Sequence, residues 1–146
     1  MVALQNFVVL ALSALALAIP TPTTTPDLVK RAISGSKSGT CGNNKFSASV
    51  VEEAASAAVS HIAAGSQVGW NKYPHRFNNR EGFEFQEGCN RPFYEFPIFK
   101  SKVYNGKGSP GPDRVVIGNV NGGDAAFCGL MTHTGAGGNK FSQCDE

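Results

Sequence analysis

The chain has 146 residues, a formal net charge of +2 and 41% hydrophobic residues. A balance this close to neutral excludes a strong global pull on nucleic acid, so any anion site must come from a local arrangement of charges. The length allows one domain with one modest core once the leading segments are set aside.

The first element is Phe7 to Ile19, FVVLALSALALAI, an almost uninterrupted apolar run. It is shorter than the ~20 residues a spanning helix needs. It suits the hydrophobic stretch of a secretory signal peptide, with Ala16-Leu17-Ala18 as the small-residue cleavage pattern. No lysine or arginine precedes it, so the amino terminus alone supplies the leading positive charge. Residues 1–18 are expected to be a signal peptide. The following PTPTTTPDLVKR is rich in Pro and Thr, cannot build a core, and ends in the dibasic pair Lys30-Arg31. Residues 19–31 are expected to be a propeptide, leaving a secreted domain of residues 32–146 with no membrane attachment. Loss of the cations Lys30 and Arg31 and the anion Asp27 takes the net charge from +2 to +1.

One helix is expected next. Ser49-Val-Val-Glu52 has the capping-box spacing and opens the alanine-rich VVEEAASAAVSHIAA, which Gly65 closes as a C-cap. Val51, Ala54, Ala58 and Ile62 recur at helical spacing, a shallow apolar stripe suited to lying close on a sheet. His61 near its end suits the helix dipole and reads as structural.

Beyond the helix the pattern changes to short β-like runs: WNKYPHRF, GFEF, FYEFPIF, KVY, RVVIGN and FCGLMTHT. The separators NNREG, QEGCNRP, NGKGSPGPD and NVNGGD carry turn chemistry. One helix followed by strands predicts an α+β fold, with the helix packed on a twisted antiparallel sheet. Cys41, Cys89, Cys128 and Cys144 all lie in the expected mature domain, and an even count in an exported chain reads as two disulfides with three possible connectivities. No CxxC or paired Cys/His spacing points to zinc, so no metal site and no cofactor are expected.

Several strand runs contribute titratable groups. Tyr73 and His75 are two apart and share a face if YPH is extended. Glu95 sits in FYEFPIF, where Tyr94 and Phe96 take the opposite face. Arg114 opens RVVIGN, and His133 stands in MTHT. Two imidazoles, a carboxylate, a guanidinium and a phenol form the set needed for metal-free phosphodiester cleavage. A base must take a proton from the attacking hydroxyl and an acid must protonate the leaving oxygen, while donors stabilise charge on the phosphoryl oxygens. The bland reading of each residue is a surface group on a half-exposed sheet. GAGGNK lacks the full P-loop spacing and its final Ser/Thr, which rejects a nucleoside triphosphate site.

YPHRFNNREGFEF, PFYEFPI, GSPGPDRVVI and THTGAGGNKF, in this order, resemble the small secreted fungal guanyl-specific ribonucleases of the ribonuclease T-one type. The resemblance implies a monomeric, metal-free endoribonuclease that cleaves single-stranded RNA after guanosine. It would pass through a 2′,3′-cyclic phosphate to a 3′-phosphate, with no action on DNA. By matched motif it implies Glu95 as general base with His75 assisting and His133 as general acid. Arg114 becomes the phosphate-side cation, Tyr73 a hydroxyl donor and Phe141 an apolar wall. It also implies guanine recognition by Phe77, Asn78, Asn79, Arg80 and Glu81, joined by Asn139, and the disulfides Cys41–Cys144 and Cys89–Cys128. Two positions depart from the family pattern: Phe77 and Arg80 each stand where tyrosine is usual. They bear on how strictly guanine is preferred, less on the chemistry. The rival function is a ribonuclease-like secreted effector that holds RNA or a host protein without cutting; all six matched catalytic positions are present, which favours the enzyme. A ribotoxin would need long basic loops, and the connections here are short.

Overall fold

The computed structural model describes residues 32–146; the expected signal peptide and propeptide lie outside the described residues. Three short strands come first: β1 (Ala32–Ser34), β2 (Gly39–Cys41) and β3 (Asn44–Phe46). Helix α1 (Ala48–Ala64) follows, then β4 (His75–Phe77), β5 (Phe93–Pro97), β6 (Asp113–Asn121), β7 (Asp124–Thr132) and β8 (Ser142–Gln143).

The helix begins earlier than the capping-box spacing suggests. Ser47, not Ser49, is the N-cap, and its side chain accepts from the Val50 N–H. Ser47 is still extended, at φ −73° and ψ 160°, so its hydroxyl can turn back to an orphan donor. Glu52 is then too deep in the helix to close a box. Gly65 ends the helix as expected, at φ 68°, a left-handed conformation that glycine adopts without Cβ strain. Val51, Ala54, Ala55, Ala58 and Val59 are buried, and Ile62 is half-buried. His61 Nδ1 lies 2.8 Å from the Ser66 hydroxyl, consistent with its structural reading.

The main sheet has the order β1-β7-β6-β5-β4, with β8 also paired to β7. All its pairs are antiparallel except β1 with β7, which is parallel. The sheet is therefore mixed rather than wholly antiparallel. β1 takes the edge of β7 at Asp124–Ala126 and β8 takes it at Met131–Thr132. β2 and β3 form a separate hairpin, joined to the chain end by pairing of Thr40 with Asp145 and by the Cys41–Cys144 disulfide. The second disulfide is Cys89–Cys128.

Three strand expectations fail. In WNKYPHRF only His75–Phe77 joins the sheet. GFEF is not a strand: the Asn79 side chain takes up both the N–H and the C=O of Phe83, so no ladder partner is needed. Its phenylalanines pack instead, with Phe85 edge-on to Phe93 at 4.9 Å between centroids. KVY is also irregular; Tyr104 is buried as an anchor against Tyr73 and Phe96.

Alternation along the central strands divides the core. Phe96, Val115, Ile117, Phe127 and Leu130 face α1. Phe77, Phe93, Val116 and Met131 form a smaller cluster on the other face, covered by Phe83, Phe85 and Phe141. The candidate site is built on this second face.

Candidate active site

β5 holds the central carboxylate. Phe96 goes to the helix side, so Glu95 points to the opposite face, as period-two alternation requires. Its neighbours across the sheet are His75 on β4 and Val116 on β6. Glu95 is only 6% exposed, and a carboxylate removed from water this far requires charged partners. Two are present. His75 Nε2 is 3.4 Å from Glu95 Oε2, and Arg114 Nε is 3.3 Å from Glu95 Oε1.

Arg114, 3% exposed, is itself held by the backbone. Its Nη1 donates to the carbonyls of Gly111 at 2.8 Å and Asp113 at 2.9 Å, and its Nη2 donates to the Tyr73 hydroxyl at 2.9 Å. The GSPGPD turn thus supplies the carbonyls that fix the guanidinium. Tyr73 lies outside the strands, yet its ring stacks on His75 with centroids 4.6 Å apart. Tyr73, His75, Glu95 and Arg114 therefore form one connected group.

His75 lies between two acceptors, Glu95 Oε2 and the Asn71 carbonyl, 3.1 Å from Nδ1. Only the imidazolium satisfies both. Hydrogen bonding to Glu95 raises its pKa above the ordinary 6.5; half-burial opposes this, and the Glu95 charge and nearby backbone acceptors add to the rise.

His133 follows β7 two residues after Met131, the partner of Arg114, so strand alternation brings it to the same face. Its Nδ1 is 2.7 Å from the Lys140 carbonyl. A carbonyl only accepts, so Nδ1 carries a hydrogen and Nε2 is left to exchange a proton. The ring stacks on Phe141 at 3.9 Å, and Phe141 meets Phe77 edge-on at 5.9 Å.

Phe77 to Glu81 and Asn139 to Phe141 line a cleft of about 540 Å³, with Arg76 also in its wall. All six residues expected to recognise guanine are in this lining. The Asn79 side chain is committed to closing its own turn, at φ 54°, which leaves backbone groups for a ligand. Glu81 Oε2 accepts the Phe141 N–H at 3.0 Å, joining the loop to the wall behind His133.

The structure thus joins Tyr73, His75, Glu95 and Arg114 in one group, and gathers Phe77–Glu81, Asn139 and Phe141 around one cleft with His133 stacked on Phe141. It adds three that sequence reasoning missed. Lys140 acts through its carbonyl and Asn71 likewise, and a main-chain acceptor leaves no side-chain signal. Arg91 donates from Nη1 to the Asn78 carbonyl at 3.1 Å; its place before Pro92 in a turn gave no hint of this.

A sheet that carries a buried carboxylate between a guanidinium and an imidazole, with a second, separately held imidazole on the same face, defines an acid–base site suited to phosphoryl chemistry. The ribonuclease family model matches residues 34–145, and the chain belongs to that family. Guanyl-specific ribonuclease Th1 of Trichoderma harzianum is 52% identical over 106 residues, covering 72% of this chain and 94% of that protein. Guanyl-specific ribonuclease T1 of Aspergillus oryzae is 45% identical over 129 residues, covering 88% of this chain and 91% of the relative. Extracellular guanyl-specific ribonuclease Fl1 of Gibberella baccata is 44% identical, covering 74% and 96%.

Proposed function

We propose that this chain is a secreted endoribonuclease that cuts single-stranded RNA on the 3′ side of guanosine. The buried Glu95 between His75 and Arg114 carries the reading, because a carboxylate held ionised on a rigid strand is a ready base.

In the first step Glu95 takes the proton of the guanosine 2′-hydroxyl, and the 2′-oxygen attacks the adjacent phosphorus. His75, as imidazolium, offers its charge beside the same carboxylate. Arg114 and the Tyr73 hydroxyl stabilise the charge growing on the phosphoryl oxygens. His133 gives the Nε2 proton to the departing 5′-oxygen, and the 2′,3′-cyclic phosphate forms. In the second step water attacks with the two roles exchanged, and the 2′-oxygen leaves to yield a 3′-phosphate. Phe141 keeps the His133 ring in plane and screens it from water on one side.

Guanine fits the adjoining cleft. Glu81 accepts from N1–H and the 2-amino group, donors that adenine does not present together, while backbone amides of Asn78 and Asn79 serve the acceptors O6 and N7. Phe77 supplies apolar surface, the Arg80 guanidinium stacks on the base, and Asn139 closes the cleft from the opposite loop. A relative named as extracellular, together with two disulfides, supports export. Residues 1–18 would then leave as a signal peptide and residues 19–31 as a propeptide.

The test is product analysis on GpC, ApC, UpC and CpC. GpC alone should turn over rapidly, with guanosine 2′,3′-cyclic phosphate appearing before guanosine 3′-phosphate. Absence of cleavage, or a first product without the cyclic phosphate, would overturn the reading. So would near-parental turnover of GpC by Glu95→Gln. N-terminal sequencing of the exported protein should begin at Ala32.

A further inference from the structure

β4 ends at Phe77, paired with Phe93, and extending that register sets Asn78 opposite Pro92. Proline has no N–H, so Pro92 cannot donate to the Asn78 carbonyl and carry the ladder on. Arg91 supplies the missing donor from its side chain: Nη1 donates to that carbonyl at 3.1 Å. Arg91 is exposed, yet it is held at both ends. Its guanidinium lies over the Phe93 ring, 5.0 Å from the centroid, on the sheet face that Phe77 shares. Its backbone follows two anchored residues. Cys89 is bonded to Cys128 of β7, and Asn119 of β6 takes both the N–H and the C=O of Asn90, each at 3.0 Å.

Holding that carbonyl also sets the amide that follows it, because a trans peptide is planar and its C=O and N–H point in opposite directions. A smaller cleft, of about 270 Å³, adjoins the one described above. Arg91 lines only the smaller cleft, Asn79 only the larger, and Asn78 lines both. The Asn78–Asn79 peptide therefore stands between them: its carbonyl is drawn to the Arg91 side, and its N–H turns to the larger cleft. The other polar groups of Asn79 are committed. Its carbonyl accepts the Gly82 N–H at 3.1 Å, and its side chain takes both Phe83 groups. Asn79 has φ 54°, and flipping the preceding peptide would carry that angle toward the negative range that side-chain-bearing residues favour. The backbone preference at Asn79 thus works against the observed orientation, and the Arg91 bond opposes the flip.

We infer that Arg91 is a positioning residue for base selection: it holds the Asn78 carbonyl so that the Asn79 N–H faces the O6 edge of a bound guanine. The inference rests on the guanine reading of the cleft and adds to it a residue that never touches the base. An N–H fixed at that place pairs with the O6 acceptor of guanine and is left unpaired against the 6-amino donor of adenine. Glu81 reads a different edge, N1–H and the 2-amino group. Inosine separates the two devices, since it keeps O6 and N1–H and lacks only the 2-amino group.

The probes are the 3′-phosphates of guanosine, inosine and adenosine, bound to the intact protein and to Arg91→Met, which removes the donors and keeps an apolar stem over Phe93. Calorimetry should show the guanosine-to-adenosine affinity ratio falling about fivefold in the variant, the scale of one hydrogen bond to a charged donor at an exposed site. The guanosine-to-inosine ratio should stay within about twofold, because Glu81 acts independently. All three ligands carry the same phosphate, so the loss of one positive charge cancels in both ratios. On GpC, KM should rise about fivefold while kcat changes by less than about twofold, as for a group that acts on binding alone. Arg91→Lys, a point donor in place of the fork, should give an intermediate guanosine-to-adenosine ratio, and it decides the matter should Arg91→Met not fold. An unmoved guanosine-to-adenosine ratio overturns the inference. So does an equal fall in both ratios, which is what a loosened loop carrying Glu81 along would produce. A parent with no preference for guanosine over adenosine sinks the guanine reading and this inference with it; a parent with that preference and an unmoved variant sinks this inference alone.

Discussion

The row formed by Tyr73, His75, Glu95 and Arg114 and the loop Phe77–Glu81 are neighbours built on opposite principles. The row is mostly carried by paired strands, is largely buried, and each charge in it has a fixed partner. The loop is mostly exposed, is shaped by the Asn79 turn, and presents backbone groups and one carboxylate to an open cleft. Bond breaking needs groups held to a fraction of an ångström, which a sheet supplies. Base selection needs a surface that admits a planar ring, and loops supply that. Substitutions in the two regions should therefore fail in different ways.

The largest effect separates chemistry from binding. His133→Ala should lower kcat on GpC by about 10²–10⁴-fold, with the affinity for guanosine 3′-phosphate nearly unchanged by calorimetry. Next comes the row as a charge system. Arg114→Met leaves Glu95 buried without its guanidinium and should cost about 3–5 kcal/mol in urea unfolding. Combining it with Glu95→Leu should restore most of that stability and none of the activity, since the uncompensated charge is then gone. In the loop, Glu81→Gln should leave unfolding almost unchanged. The ratio of kcat/KM for GpC over ApC should fall by roughly ten- to a hundredfold, the scale of one bidentate base contact.

The smallest effect is a pH dependence of stability. The folded pKa of His75 is raised, so its contribution is fully present below the ordinary value of 6.5. It is lost as pH rises through the higher folded value. The stability difference between the parent and His75→Gln should thus be larger at pH 5.5 than at pH 8.5. Equal differences at both would remove the imidazolium from the folded state.

The regions also differ in how far the sequence announced them. Alternation in FYEFPIF, the runs around Arg114 and His133, and the alanine-rich helix all carry periodic signals. The α+β class, and the sheet face that gathers His75, Glu95, Arg114 and His133, were therefore readable. β1, β2 and β3 have three residues each, too few to show a period, and the parallel pairing of β1 with the edge of β7 comes only from tertiary contact. GFEF carries the alternation of a strand, but Asn79 satisfies the Phe83 backbone locally and the segment needs no sheet. Ser47 and Ser49 are equally good caps by type, and only the extended backbone at Ser47 decides between them. In the site, side chains were legible, whereas the carbonyls of Asn71 and Lys140 that set both imidazoles were not.

One contact from the cleft has a consequence for fidelity. The Glu81 oxygen that holds the Phe141 amide ties the base-reading arc to the shelf on which the His133 ring rests. A misfitting base that drags this carboxylate aside would tilt the shelf as well. Under the proposed mechanism, errors in reading would then be penalised a second time, at the moment the proton is delivered.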